Sequence, residues 1–175
     1  MDYEERFINL GKKENFSEEV KSLNWNCQVP FIVDGDFTVF ESHTVMRYIH
    51  AKYNLDPSYY PSSLKERTLT DMYLDWHHSN TRKVAHYVAT SLLSKRTKQP
   101  TIYVEEGIKK DLDLALFNLN AHLLNYPSHF LNGFEKPTIA DLSCYFELTE
   151  LVLIQQSYKD LPNIEAFMKK MAEIP

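Results

Sequence analysis

Residues 28–42 read Gln28-Val29-Pro30-Phe31-Ile32-Val33-Asp34-Gly35-Asp36-Phe37-Thr38-Val39-Phe40-Glu41-Ser42. A Val-Pro step leads into a short run rich in β-branched and aromatic residues, and Val29 to Val33 reads as a buried strand. Asp34-Gly35-Asp36 supplies a tight turn, so Thr38 to Phe40 pairs back as the second strand of a hairpin. Glu41 or Ser42 then opens a helix to about Tyr53, with Val45, Met46, Ile49 and Tyr53 as its apolar stripe.

Upstream of the hairpin, Glu4 to Leu10 fits a short strand ending at Gly11. Ser17-Glu18-Glu19-Val20-Lys21-Ser22-Leu23 fits a short helix, with Ser17 as N-cap and acids in the first turn opposing the helix dipole. Downstream, residues 54–63 hold Pro57 and Pro61 and read as a linker. Beyond the linker the chain reads as helical throughout. Leu64 to about Lys95 predicts one long helix, and Tyr103 to Leu124 a second with Ile108, Leu112, Leu116, Leu119 and Leu123 on one face. Pro137 to about Gln156 predicts a third, and Leu161-Pro162-Asn163-Ile164 starts a fourth. Thr138 and Asp141 have the spacing of a capping box, a device that fixes a helix start and carries no chemistry. The expected fold class is therefore α/β plus all-α, with a domain over residues 1–54 and an all-helical domain over residues 63–175.

Composition narrows the function. Of 175 residues, 43% are hydrophobic and 25% charged, as in an ordinary globular chain. A net charge of −5 gives no footprint for nucleic acid. The four glycines are too few for a phosphate-cradling loop, and the two cysteines, Cys27 and Cys144, make no disulfide framework. A reducing compartment suits such a chain. No apolar run reaches the ~18 residues of a membrane span. The opening Met1-Asp2-Tyr3-Glu4-Glu5-Arg6-Phe7 resembles neither a signal nor a transit peptide. The histidines lack the Cys/His spacing of a zinc site, so no metal is assigned. Cys27 stands near the Val-Pro step, where its thiol could form a mixed disulfide by attacking the disulfide form of a thiol ligand.

The order of these pieces resembles the cytosolic glutathione transferases, the theta class most closely. The stretches that carry the resemblance are Asp34 to Ile49, Tyr60-Pro61, Tyr73-Leu74-Asp75-Trp76-His77-His78-Ser79-Asn80-Thr81-Arg82, and the Thr138-Ile139-Ala140-Asp141 cap. The resemblance runs from about residue 3 to about residue 172. It implies a thioredoxin-like N-terminal domain, here incomplete, followed by the helical C-terminal domain of the family. It implies a cis bond at Val29-Pro30, with the backbone of Val29 pairing the cysteinyl part of glutathione as one more strand would. It places the γ-glutamyl end on Glu41 and Ser42. That assignment suits the chemistry, since a carboxylate pairs with an ammonium and a hydroxyl at a helix start binds a carboxylate. By themselves Glu41 and Ser42 also suit a plain helix cap.

Several departures stand out. The family's first strand and helix, which carry the catalytic serine, precede the strand expected at residues 4–10, so no catalytic residue is assigned within the chain. The basic residue usual before Val-Pro is Gln28, which removes a partner for the glycyl carboxylate. A histidine usual near the second helix is matched by Asn15. A C-terminal lid helix also has no counterpart. These departures give two expectations. The first is a degenerate relative that acts as a structural or interaction subunit, with glutathione as a weak ligand on Gln28, Val29, Pro30, Glu41 and Ser42 and no cofactor. The alternative is an active theta-like transferase whose N-terminal catalytic segment is missing from this chain. The first expectation carries a partner: a homo- or heterodimer or a larger complex whose neighbouring chain covers the strand edges at residues 4–10 and 29–33. Its expected place is the cytoplasm, or mitochondria as part of a complex.

Overall fold

The computed structural model describes residues 2–97, 102–126, 130–157 and 160–174. The chain divides into two compact units, Met1–Pro57 and Ser58–Pro175.

The first unit contains helix α1 (Glu18–Leu23), strands β1 (Phe31–Asp34) and β2 (Phe37–Phe40), and helix α2 (Ser42–Lys52). Ser17 caps α1 by accepting a hydrogen bond from the Val20 N–H. The strands run antiparallel in the register Phe31↔Phe40, Ile32↔Val39, Val33↔Thr38 and Asp34↔Phe37. The two-residue turn between them puts Gly35 at φ +63°, a region that a Cβ disfavours. At the turn end, the Asp34 carboxylate accepts from the Tyr48 hydroxyl and the Lys52 ammonium, which ties the hairpin to α2.

The expected strand at residues 4–10 does not form. Among the described residues the sheet has two strands, β1 and β2. Residues 2–9 carry no regular structure and Leu10–Lys12 is a 3-10 turn. The reason lies in local bonding. The Asn9 N–H donates to the Glu14 carboxylate and not to a ladder, and the Asn9 side chain accepts from Lys12 N–H. Phe7 is 86% exposed, so no apolar face holds this segment against a sheet. The pair of open edges that called for a covering partner is therefore not present as expected, and neither is a direct pairing of residues 4–10 with 29–33. The apolar stripe of α2 is also shallower than its pattern suggests. Val45, Met46 and Ile49 are half-buried, and the fully buried side chain of this helix is His43.

The second unit comprises α3 (Leu64–Ser79), α4 (Lys83–Thr97), α5 (Ile102–Leu124), α6 (Ile139–Thr149) and α7 (Pro162–Ala172). Its core gathers Leu74, Val84, Leu112, Leu119, Leu131, Leu148, Ile164 and Phe167, all fully buried or nearly so. The face expected on α5 is buried at Leu112, Leu116, Leu119 and Leu123. The single helix expected over 64–95 is two helices. Ser79-Asn80-Thr81 breaks it: the Asn80 amide donates to the Trp76 carbonyl and Thr81 Oγ1 meets the buried Tyr73 hydroxyl at 3.0 Å. Such side chains compete with the helix for its own backbone groups. The helix expected over 137–156 is shorter too. It starts at Ile139, because Thr138 is its N-cap, and it ends at Thr149, continuing as a 3-10 turn over Glu150–Ile154. The capping box forms: Asp141 accepts from the Thr138 N–H at 2.7 Å and the Thr138 hydroxyl oxygen accepts from Ala140 N–H. The other oxygen of Asp141 accepts from Leu131 N–H at 2.7 Å, so the cap also anchors the preceding loop. Burial pushes the Asp141 carboxyl up to about 6, against the pull of these donors.

Candidate functional site

The register of the hairpin locates the site. Phe31 pairs with Phe40, so Val29-Pro30, just before β1, and Glu41-Ser42, just after β2, lie at the same open end of the sheet. The Val29-Pro30 bond is cis. Val29 is half-buried, while Gln28, Pro30, Glu41 and Ser42 are exposed to solvent. Ser42 is the first residue of α2, where helix N–H groups have no partner one turn back.

Glu41 is the strained residue of this end. It is the N-cap of α2 at φ +67°, ψ +112°, and its side chain makes no capping hydrogen bond. A residue with a Cβ pays about 1–3 kcal/mol for such a conformation, and strain of this kind concentrates where a side chain must be aimed. The geometry therefore removes the plain capping role that the sequence left open for Glu41.

Two buried asparagines set the backbone before Val29. The Asn15 amide donates to the Cys27 carbonyl at 2.9 Å. The Asn24 amide donates to the Gln28 carbonyl at 2.8 Å, and its oxygen accepts from Asn26 N–H. Cys27 between them sits at φ +55°, buried, with a free thiol. The Gln28 side-chain oxygen accepts from the Asn26 amide at 3.1 Å. Trp25, 76% exposed, places its ring edge-on to Phe40 with centroids 5.6 Å apart, linking this loop to the end of β2. The sequence marked Asn15 only as the counterpart of a family histidine and did not mark Asn24 or Trp25. Asn24 follows the last residue of α1, a position where asparagine commonly bonds nearby backbone.

The second unit holds a buried cluster that sequence spacing hid, since its members are up to 70 positions apart. Glu147 on α6 accepts from Arg82 at 3.1 Å and from the Ala85 N–H at 3.1 Å, and lies 3.3 Å from His77 Nε2. Burial alone would raise its carboxyl. The close contact with His77, the Arg82 charge and the Ala85 N–H outweigh it and hold the group below the ordinary range. Arg82, in the break between α3 and α4, is thus engaged in an ion pair with Glu147 on α6.

Comparison with known proteins fits onto this geometry. Residues 1–51 match the family described as glutathione S-transferase, N-terminal domain. Glutathione S-transferase T1 of Arabidopsis thaliana is 32% identical over 98% of this chain and 70% of its own length. Glutathione S-transferase T2 of the same plant is 35% identical over 87% of this chain, which spans only 26% of that relative. Among solved structures, human glutathione transferase theta-2 in complex with glutathione and an unknown ligand superposes with a TM-score of 0.83 at 27% identity, covering 95% of this chain and 69% of that one. The chain belongs to the glutathione S-transferase family. Its likeness is to the theta class, with a thioredoxin-like N-terminal domain followed by the helical C-terminal domain.

These findings correct the first expectation of function. Relatives along nearly the whole chain are named as transferases, and a solved theta-class neighbour holds glutathione, so the reading as a degenerate structural subunit does not stand. Among the described residues no helix is long and apolar enough to cross a membrane.

Proposed function

We propose that this protein is a glutathione transferase that conjugates glutathione to electrophiles, and that the open end of its hairpin holds the tripeptide. The observation that carries the reading is the register Phe31↔Phe40, which brings Val29-Pro30 and Glu41-Ser42 together. Glu41 pairs with the γ-glutamyl ammonium, a charge-assisted bond. The Ser42 hydroxyl and the first N–H groups of α2 receive the neighbouring carboxylate. The backbone of Val29 pairs with the cysteinyl residue by adding the ligand to the sheet. Pro30 fixes the direction of that backbone, and Gln28 flanks the glycyl end.

Bound this way, the cysteinyl sulfur is presented to an electrophilic carbon. The C–S bond forms as the bond to the leaving group breaks with its electron pair, and the thiol proton passes to solvent. A free thiol ionises near pH ~8.5, so the reaction needs a thiolate-stabilising group. None of the residues named above fills that role, and the resemblance assigns it to a serine in the family's opening strand-helix unit. A human theta-class transferase solved with the glutathione conjugate of 1-menaphthyl sulfate supports a sulfate ester as the test electrophile; it is 26% identical with a TM-score of 0.81.

The test is release of sulfate from 1-menaphthyl sulfate with glutathione, using the longest product of the gene and its Glu41→Ala/Ser42→Ala variant. Glutathione-dependent release that falls at least about tenfold in the variant, by loss of roughly 1.4 kcal/mol or more of binding, supports the reading. Release unchanged in the variant, or no release from either form, refutes it.

A further inference from the structure

A ligand running from Glu41-Ser42 past Val29 reaches the loop before Val29 with its third residue, since an extended peptide advances about 3.3 Å per residue. That loop offers no charge. Gln28 is neutral, and its side-chain oxygen is engaged by Asn26. Asn15 and Asn24 are buried and neutral, and each gives an amide N–H to a carbonyl of the loop, Asn15 to Cys27 and Asn24 to Gln28. The cations nearest in sequence are drawn elsewhere: Lys21 is bonded to Glu18 and Arg6 to Glu19. Lys12 and Lys13 stand exposed in the turns before Asn15, where solvent screens them. The surfaces left open beside the loop are aromatic, Phe16 at 55% and Trp25 at 76% exposure.

We propose that this end of the site recognises a neutral C-terminal unit, so that the protein takes γ-glutamyl-cysteinyl thiols as a class, whether or not the third residue ends in a free carboxylate. The inference rests on the glutathione site proposed above and names its specificity. Gln28 is the determining residue. A carboxylate gains strongly from a cation and little from a neutral amide. Esterifying or amidating the glycyl end therefore removes little that this loop holds, and the added alkyl group gains contact with the exposed rings.

The experiment is isothermal calorimetry on the full chain with glutathione and with its glycyl ethyl ester, for the native protein and for Gln28→Lys. The native protein is expected to bind both within about threefold of each other. Gln28→Lys is expected to tighten glutathione by at least about threefold while leaving the ester unchanged, through a new charge-assisted bond. A native preference for the free acid beyond threefold overturns the proposal, and so does a Gln28→Lys variant whose ratio of acid to ester matches the native one. If the native protein binds neither compound, the underlying glutathione site falls together with this inference. Binding of glutathione with strong rejection of the ester overturns the inference alone.

Discussion

The two units of this chain are built on different principles. The helical unit is held by a packed core with fully buried side chains on each of α3, α4, α5, α6 and α7. The first unit has a two-stranded sheet, few fully buried apolar side chains and a loop held by asparagine amides. Several of its aromatic residues, Phe7, Trp25 and Phe37 among them, are more than half exposed. A packed core tolerates exchange of one apolar residue for another, because volume is what it needs. A polar clamp does not, because each donor has one acceptor. Stability should therefore be concentrated in the second unit and ligand geometry in the first.

The largest expected effect probes the core. Phe167→Ala, at a fully buried position, should cost about 3–5 kcal/mol by the ordinary transfer and cavity terms. Urea denaturation followed by circular dichroism measures it. A loss below ~1 kcal/mol would mean that the helical unit is not where stability resides.

Two buried acids on α6 sharpen the comparison through pH. The Asp141 carboxyl is raised to about 6 from 3.8, so the folded state holds its proton to higher pH than the unfolded chain. Its contribution is greatest below pH 3.8 and declines as pH rises through 6. Glu147 is held below 4.5, so its contribution is present above that pH and declines as pH falls through its folded value. Replacing either acid by its amide should lower stability at neutral pH by about 1–3 kcal/mol, since buried donors lose acceptors. The slopes distinguish them. Relative to the native protein, Asp141→Asn should remove a decline between about pH 4 and 6, and Glu147→Gln should remove a loss below pH 4.5. Denaturation curves across about pH 3–8 that shift in parallel for both variants would contradict this.

The smallest expected effect on stability is at the clamp. Asn24→Ala frees the Gln28 carbonyl, which lies near solvent, and should cost only about 1 kcal/mol. Glutathione binding should weaken by at least about tenfold, because Val29 loses its fixed orientation. Calorimetry beside denaturation checks both. A variant that loses stability but binds normally would make Asn24 a purely structural residue.

The sequence made most of this fold legible, for physical reasons that differ by region. The hairpin, the Ser17 cap and the Thr138–Asp141 box were readable because each depends on residues within a few positions. The break at Asn80 was not, because it rests on Tyr73 meeting Thr81 and on Glu147 drawing in Arg82 and Ala85 across the unit. The strand expected at residues 4–10 failed because apolar content alone does not make a strand. Asn9 and Glu14 satisfy the backbone there instead. At the candidate site, Gln28, Val29, Pro30, Glu41 and Ser42 emerged from motif order. The strain at Glu41 and the amide clamps of Asn15 and Asn24 needed coordinates, since nothing in the spelling of the sequence shows a positive φ or a side chain turned onto a carbonyl.

The central claim, that glutathione lies at the open end of the hairpin, is tested most directly by amide chemical shifts. A ¹⁵N-labelled full chain titrated with glutathione to millimolar concentration, the range expected once a charged partner costing about 1–3 kcal/mol is absent, should show saturable shifts at Gln28, Val29, Glu41, Ser42 and His43. Those shifts should vanish in the Glu41→Ala/Ser42→Ala variant. Saturable shifts confined to α3–α7, or shifts at the hairpin that persist unchanged in the variant, would contradict the site.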